Sequence, residues 1–382
     1  MRRSTIGLAL CSLLLAACTA TTVGPKPSTT TTTKPKPATA SASTEFGPAL
    51  GYRKTAKLKA GPYLAPGSNP SVLPGDVLIA DRNNNRLIVV NPQGNIVWSF
   101  PRPGDLQPGQ SFGAPDDAFF TPNGKNIIVT QESKFAIAEV NIATHRIVWQ
   151  YGHWGVAGMA PGYLDNPDDA MMLPNGDVLA ADIINCRLLI LRPPLQVPVK
   201  IIGESTNACY HAPPLRWGSP NGAFPMTNGH YVVTEINGDW ADELSLHSQK
   251  IYFSTNPPGV SYPSDTNQVG PNLFLTADYS NPGQVEEFNS AGQLVWRYRP
   301  TGAQALNQPS LALPLPNGDI ILNDDWNHRV IVVNPRTNQV VWQYGHTGVP
   351  GAAPGYLNKP DGLDLAPPYS LTMTHAKTMG LP

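Results

Sequence analysis

Charge is scarce in this sequence of 382 residues: only 14% are Asp, Glu, Lys or Arg, and the formal net charge is −1. Proteins that bind nucleic acid concentrate Lys and Arg against the phosphates, so we expect no nucleic-acid partner. Helical periodicity is also lacking beyond the first twenty residues. The chain has instead 34 Gly, 41 Pro and many short runs that alternate apolar and polar residues.

The single long apolar run is too short to cross a membrane, which takes about 20 residues. Two arginines (2–3) precede apolar residues 6–17, and the run ends in LAAC at 15–18. The run resembles a bacterial lipoprotein signal, which implies that Cys18 carries the lipid and anchors an exported chain to the cell membrane, with its folded part outside the cytoplasm. The alternatives are an ordinary secretory peptide or a short membrane anchor.

Residues 19–46 contain Thr, Ser, Pro, Lys and Ala and almost nothing to bury. This composition predicts a disordered tether. The sequence thus divides into a signal (1–18), the tether, a folded domain (47–368) and a C-terminal tail (369–382).

Cysteine is rare, with four in the chain. Cys11 lies in the signal and Cys18 takes the lipid, which leaves Cys186 and Cys209. In an oxidising compartment such a pair is most simply a disulfide. Zinc is the weaker alternative, because no second cysteine pair accompanies them.

Short β-type runs recur throughout the folded domain. Their alignment exposes a unit with the pattern Asp-x-x-Asn-x-Arg, clearest at Asp81, Asp182 and Asp324, and successive units lie 43 to 53 residues apart. That is the length of a four-stranded propeller blade. We interpret the pattern as structural, because a catalytic group is needed only once. Large aromatic residues on the outer strands should pack in the core. They are Trp98, Trp149, Trp296 and Trp342, and Tyr252 takes the corresponding place in the fourth unit.

The stretch 344–362 nearly repeats 151–169. The first unit lacks a full-length innermost strand, while residues 359–368 read as such a strand with no blade after it. The C-terminus is therefore predicted to complete blade 1 and close an all-β, six-bladed propeller.

The units resemble NHL-repeat β-propellers. The resemblance rests on Gly-rich connectors at 152–162 and 345–355, on the prolines Pro167 and Pro360, and on the Ala-Asp-x-x-Asn-x-Arg pattern, and it spans about 61–366. It implies a fold and a habit of binding. The family includes scaffolds, ligand binders and lyases, so it does not define one function.

One face of the predicted propeller, formed by the inter-blade connectors and the loops between the two middle strands of each blade, carries the unusual residues. Aromatic rings among polar groups suit a small molecule, a glycan, a peptide or a protein partner. The simpler alternative is that each Trp caps its own blade. The candidate ligand-binding residues are His153, Trp154, Trp217, Trp240, Trp326 and His346.

A second candidate site lies at the mouth of the central channel, where each innermost strand begins after a proline. Oxygens converging there could hold Ca²⁺, which takes 6–8 oxygen ligands. Alternatively they bond the local backbone and ordered water. The residues after the prolines are Asp116, Asp168, Asn221, Ser264, Ser310 and Asp361.

No complete catalytic constellation is evident. Arylsulfotransferase-like and amidating-lyase propellers are similar to this chain in their repeats, but the histidines on which those enzymes depend have no counterparts at the matching positions of this sequence. We therefore predict a monomeric, lipid-anchored propeller that binds a ligand or partner on its connector face. The alternative is an extracellular metal-dependent hydrolase or lyase at the channel mouth, with Asp116, Asp168 and Asp361 as metal ligands and His153 or His346 as acid or base.

Overall fold

The computed structural model describes residues 58–372. The predicted signal (1–18), the tether (19–46) and the tail beyond residue 372 lie outside the described residues. Within the described range, no helix combines the length and apolar character that a membrane crossing requires.

The described chain forms six four-stranded antiparallel sheets, so the prediction of an all-β, six-bladed propeller is confirmed. Blade 1 combines β24 with β1–β3, and blades 2 to 6 are β4–β7, β8–β11, β12–β15, β16–β19 and β20–β23. The strands are Val77–Asp81 (β1), Arg86–Val90 (β2), Ile96–Phe100 (β3), Ala118–Phe120 (β4), Asn126–Gln131 (β5), Ala136–Asn141 (β6), Arg146–Gly152 (β7), Pro167–Met172 (β8), Val178–Asp182 (β9), Arg187–Leu191 (β10), Lys200–Ile202 (β11), Pro220–Pro225 (β12), Tyr231–Glu235 (β13), Trp240–Leu244 (β14), Ile251–Thr255 (β15), Pro263–Gly270 (β16), Leu273–Asp278 (β17), Gln284–Phe288 (β18), Leu294–Tyr298 (β19), Ala312–Pro314 (β20), Ile320–Asp324 (β21), Arg329–Asn334 (β22), Gln339–Gly345 (β23) and Pro360–Leu365 (β24). Short 3₁₀ helices lie at Pro70–Val72, Arg82–Asn84, Glu132–Lys134, Gly302–Gln304 and Asp325–Asn327.

The innermost strand of blade 1 comes from the far end of the chain. Strand β24 pairs antiparallel with β1, so that Val77 lies opposite Leu365 and Ile79 opposite Leu363. Blade 1 therefore joins residues nearly 300 positions apart in the sequence, and its inner edge is paired.

The Asp-x-x-Asn-x-Arg pattern fastens the turn between the two middle strands to the preceding connector. Asp182 accepts hydrogen bonds from Asn185 at 2.9 Å and from Arg187 Nε at 2.7 Å, and Arg187 donates to the carbonyl of Met159 at 2.9 Å. The same carboxylate bonds recur at Asp81/Asn84/Arg86 and Asp324/Asn327/Arg329. The structural interpretation of this pattern is confirmed.

Outer-strand tryptophans fill the wedges between blades, as predicted. Trp342 is fully buried and donates to the carbonyl of Pro92 in the next blade at 2.9 Å, and Trp98 donates to Ile142 at 3.1 Å. Trp149 of blade 2 is buried as well, whereas Trp296 of blade 5 is half-buried and packs against the edge of the core. Tyr252, at the corresponding place in blade 4, is 49% exposed, and its ring stacks on His230.

Cys186 and Cys209 form a disulfide with a Cα–Cα distance of 5.1 Å. Cys186 lies in the turn between β9 and β10, and Cys209 lies in the long connector between blades 3 and 4. The bond therefore ties this connector to blade 3.

Candidate functional site at the channel mouth

The innermost strands bring their first residues together at the channel mouth. In most blades the residue before the opening proline has a left-handed backbone, as at Asn166 (φ 55°) and Lys359 (φ 54°), which turns the chain into the strand. We define the outer tier as the first residues after the prolines. Its members around a cavity of about 190 Å³ are Asp116, Asp168, Asn221, Ser264 and Asp361. The cavity is also lined by Arg82, Glu132, Tyr262, Tyr279 and Lys359.

Five of the six predicted ring residues thus line one cavity, and Ser310 does not. Its hydroxyl donates instead to the carbonyl of Asp361 at 2.7 Å and to the carboxylate of Asp325 at 3.0 Å. The hydroxyl of Ser310 therefore links the innermost strand of blade 1 to the turn after β21 of blade 6.

The outer tier already contains a positive charge of the protein. The guanidinium of Arg82 lies 2.6 Å from Asp361 and also contacts Asp116 and Glu132. Burial opposes the charge of Arg82, but Asp361 and Glu132 outweigh burial and raise the pKa of Arg82 above its ordinary value. The predicted ring of free oxygen ligands is therefore partly occupied by an arginine.

A second group of carboxylates, the inner tier, consists of Asp117, Asp169 and Asp265. Each is only 1–2% exposed, and one oxygen from each lies within 4.8 Å of the others. Within the part of the chain that the structure describes, both oxygens of Asp169 and Asp265 and one of Asp117 lack a donor in normal hydrogen-bond geometry, although Asp265 lies near enough to Asp169 to share a proton and also interacts with the side chain of Asn221. Burying an unpaired carboxylate is costly, so this group calls for either protons or a cation.

Burial and mutual repulsion control the charge of the inner tier. Burial first, and then the negative charges of Asp265 and Asp168, raise the pKa of Asp117 well above its ordinary value. The same causes, with Asp265 and Asp117 as the neighbours, raise the pKa of Asp169. Burial raises the pKa of Asp265 to about 7.

Two glycines make room for these carboxylates. A Cβ atom on Gly222 would lie 2.0 Å from one oxygen of Asp169 and 2.7 Å from one of Asp265, and a Cβ on Gly362 would lie 2.5 Å from an oxygen of Asp117. Both glycines are the second residue after a strand-opening proline, the same position as the three aspartates. The two glycines therefore leave space for the three carboxylates in the channel.

Sequence reasoning missed the inner tier and Arg82, although the repeats contain a signal for both. The three aspartates of the inner tier stand at the second position after their prolines, whereas the predicted metal ligands were taken from the first position only. Arg82, Glu132 and Tyr279 all directly follow the Asp position of their unit. A column-by-column comparison of the units would have grouped these three residues, and the structure shows that all three line the cavity.

The predicted connector-face aromatics have different environments. Trp326 is 46% exposed, donates to the hydroxyl of Tyr279 at 3.4 Å and has Lys359 over its ring at 4.7 Å, which places it beside the cavity. Trp217 is fully buried and donates to the carbonyl of Ile202 at 3.1 Å. The prediction of Trp217 as a surface ligand contact was wrong, because its long connector folds back over blade 3.

The remaining predicted residues stack within their own loops. His153 stacks on Tyr163 at 4.0 Å between ring centroids, and His346 lies against Tyr356 at 4.2 Å. Neither histidine is among the residues that line the cavity. Trp154 and Trp240 are half-buried; Lys134 lies 6.0 Å from the Trp154 ring, and His211 stacks on Trp240 at 4.0 Å.

Comparison with solved structures shows the propeller fold and nothing finer. A crystal structure of a protein of unknown function from Bacteroides caccae superposes with a TM-score of 0.51 at 14% identity, covering 76% of this chain and 97% of that chain. Streptogramin B lyase (TM-score 0.45, 14% identity, 65% and 72% covered) and Kuenenia stuttgartiensis hydrazine synthase (0.47, 12%, 75% and 80%) are more distant. No family model and no curated protein matches the sequence.

Proposed function

We propose that this protein is a cell-surface binding protein that holds Ca²⁺ on the inner tier and a small polar ligand, such as a sugar unit of a glycan, in the cavity above it. The propeller fold itself indicates a binding or scaffold role. The observation that carries the proposal is the set of unpartnered, buried oxygens of Asp169 and Asp265 beneath a polar cavity on the connector face.

Calcium suits the donor set of the inner tier. The three carboxylates supply hard oxygen ligands, and Ca²⁺ accepts such ligands in a flexible coordination geometry. Mg²⁺ demands near-octahedral geometry, and Zn²⁺ favours nitrogen and sulfur ligands. Asp117 belongs both to the inner tier and to a second group with Asp116 and Asp168. An ion on the inner tier is therefore within reach of a ligand in the cavity.

The cavity walls suit a polyhydroxylated ligand. Carboxylates can accept hydrogen bonds from hydroxyl groups, as can the amide oxygen of Asn221, whose NH2 group donates to Asp168 and Ser264. Tyr262 and Tyr279 supply aromatic surface. Trp326 extends that surface at the rim. A volume of about 190 Å³ fits one small unit of a larger ligand.

The geometry favours binding over the alternative of hydrolysis or elimination. The two histidines predicted as acid or base stack on tyrosines outside the cavity lining. Burial raises the pKa of Tyr262 and of Tyr279 above their ordinary values, so both keep their protons at neutral pH and are poor bases.

The lipid anchor is a separate part of the proposal and rests on the LAAC sequence. Cells fed a fatty acid with a clickable tag should label the wild-type protein and leave the Cys18→Ser variant unlabelled and in the soluble fraction. Labelling of the variant would contradict the assignment of Cys18.

Calcium binding is tested by calorimetric titration of chelator-treated protein and by thermal unfolding. Ca²⁺ at about 100 times its dissociation constant should stabilise the protein by roughly 2.7 kcal/mol. The Asp169→Asn/Asp265→Asn double variant should not respond, while the control Asp239→Asn, whose left-handed backbone (φ 60°) Asn also adopts readily, should respond fully. If titration of Ca²⁺ into the wild type gives no heat of binding and leaves the melting temperature unchanged, the inner tier keeps its protons and the proposal is wrong.

Ligand binding is then tested on a glycan array with and without Ca²⁺. Binding that requires Ca²⁺ and is lost in Trp326→Ala supports the proposal. Turnover of a bound glycan that stops in chelator would support the hydrolase or lyase alternative instead.

A further inference from the structure

Blade 4 differs from blades 1, 3 and 6 at the position where those three blades have an Asp–Arg pair. Glu235 takes the place of the aspartate, and Trp240 stands five residues later where the arginine would be. The side chain that meets Glu235 is instead His211, which comes from the long connector between blades 3 and 4, two residues after the disulfide. The loss of the guanidinium leaves a different cluster in its place.

Three ligand-type atoms converge in this cluster. Nδ1 of His211 lies 2.9 Å from an oxygen of Glu235 and 3.8 Å from Oδ2 of Asp242. All three atoms lie within 4.8 Å of one another. Glu235 and Asp242 are fully buried, and the side chain of His211 is 21% exposed, so an ion in solution can reach the cluster.

The other atoms of these carboxylates are already used. The second oxygen of Glu235 accepts from the backbone N–H of Gly218, and Oδ1 of Asp242 accepts from the hydroxyl of Ser254. Oδ2 of Asp242 has no hydrogen-bond partner in the described chain. Apart from the hydrogen bond between Nδ1 of His211 and an oxygen of Glu235, which an ion would replace, the three facing atoms are available as ligands, and outer partners hold two of the ligands in place.

The ring of His211 is also held. It stacks on Trp240 with the ring centroids 4.0 Å apart and an interplanar angle of 12°. The neighbouring disulfide ties its connector to blade 3. A ligand set that is fixed before binding loses little entropy when an ion arrives.

From this geometry we propose that His211, Glu235 and Asp242 form a site for a divalent transition metal of the Zn²⁺ type. Zinc sites place nitrogen and oxygen ligands about 2.0–2.2 Å from the metal, so tetrahedral donors lie roughly 3.4 Å apart. The two distances from His211 fall on either side of that value. One imidazole and two carboxylates make three protein ligands and leave a fourth position for water or a ligand.

The competing account is a shared proton with no metal. Burial raises the pKa of Glu235 to about 7 and, with the adjacent Glu235, raises the pKa of Asp242 well above its ordinary value. Two facing carboxyl groups can therefore keep a proton between them. The two accounts differ in whether chelator-treated protein takes up a metal ion.

The test is a calorimetric titration of the chelator-treated, disulfide-intact full chain with Zn²⁺, paired with the visible spectrum of the Co²⁺ form. We expect one Zn²⁺ per chain. His211→Gln and Asp242→Asn should each weaken binding by more than about 100-fold, since the loss of a mere outer-shell partner costs roughly 10–100-fold. Both should also lose the Co²⁺ bands of a nitrogen-ligated site.

His230→Ala is the matched control, because His230 also contacts a glutamate (Glu243, 2.5 Å) in blade 4 but has no third ligand there. This control and the Asp169→Asn/Asp265→Asn variant should bind Zn²⁺ as the wild type does, which separates the site from the channel. Wild-type protein that takes up no Zn²⁺, or binding that survives in both His211→Gln and Asp242→Asn, overturns the proposal. Circular dichroism of each variant verifies that it is folded, and of the two substitutions Asp242→Asn keeps the volume of the buried side chain.

Discussion

The two tiers of carboxylates at the channel mouth differ in how their negative charge is balanced. In the outer tier, Arg82 lies against Asp116 and Asp361 and supplies a permanent positive charge from the protein itself. In the inner tier, Asp169 and Asp265 have no such partner and keep unbonded oxygens. A cluster with its own arginine has part of its charge balanced by the protein, whereas a buried cluster without one depends on protons or on a bound cation. Although both tiers contain aspartates, they therefore have different roles.

Removal of the arginine should make the outer tier resemble the inner one and have the largest effect. Arg82→Met leaves Asp116, Asp361 and Glu132 facing one another with no balancing charge. Breaking a buried ion pair at one partner costs about 3–5 kcal/mol. Urea denaturation should show this loss in the free energy of unfolding.

The control for that prediction is Arg192→Met. Arg192 also pairs with a carboxylate, Asp177, at 2.6 Å, but its side chain is 57% exposed. Exposed pairs contribute little, so this variant should unfold almost as the wild type does. Equal losses in Arg82→Met and Arg192→Met would mean that the outer tier does not depend on its arginine.

Neutralising the inner tier should have the opposite sign in the absence of Ca²⁺. The pKa of Asp265 is raised from 3.8 to about 7, and one pKa unit corresponds to 1.36 kcal/mol, so the ionised group destabilises the metal-free protein by at most about 4 kcal/mol. The Asp169→Asn/Asp265→Asn variant should accordingly be more stable than the wild type in chelator at pH 8. Thermal unfolding in chelator measures this difference. A variant less stable than the wild type under these conditions would show that the carboxylates carry stabilising bonds.

The third prediction is a pH dependence that Ca²⁺ removes. Because the folded-state pKa of Asp265 lies above its unfolded value, the folded protein binds the extra proton, and stability falls as pH rises toward 7. For a group with a folded-state pKa of about 7, the loss between pH 5 and pH 7 is about 2.3 kcal/mol. Saturating Ca²⁺ should offset this loss at the higher pH.

The observable is the difference between unfolding curves with and without Ca²⁺. Other buried carboxyls, Asp76, Glu235, Glu286 and Asp364, also have a pKa raised to about 7 and contribute the same slope in both conditions. Parallel pH curves in Ca²⁺ and in chelator would exclude Asp265 from cation binding.

The fold could be predicted from the sequence because three features indicate the same propeller: apolar alternation within the strands, a spacing of 43 to 53 residues between units, and a strand-like C-terminal segment. The outer tier of the site could also be predicted from the repeats, because a proline marks where each innermost strand starts. The inner tier was equally accessible at the next position, where Gly222 and Gly362 leave space for three aspartates.

Other features depend on tertiary contacts that no repeat pattern contains. Trp217 looked like a surface aromatic in a long connector, but its burial is decided by how that connector folds over Ile202. The approach of His211 to Glu235 has the same origin, because it joins a loop to a strand end 24 residues away. Arg82 belongs to the regular repeat, yet only the structure shows that its guanidinium turns into the channel.

The smallest effect should come from Asp116→Asn, which tests whether the tiers are functionally separate. Arg82 keeps its contacts to Asp361 and Glu132 in this variant, so the affinity for Ca²⁺ should change less than about tenfold, equivalent to 1.4 kcal/mol. Asp169→Asn should lower the same affinity by more than about 100-fold, because it removes a ligand of the ion. Calorimetric titration of both variants gives the comparison directly. Since Asp116 also lies within 4.8 Å of Asp117 and Asp168, a loss in Asp116→Asn as large as that in Asp169→Asn would place the ion at that group and join the two tiers into one site.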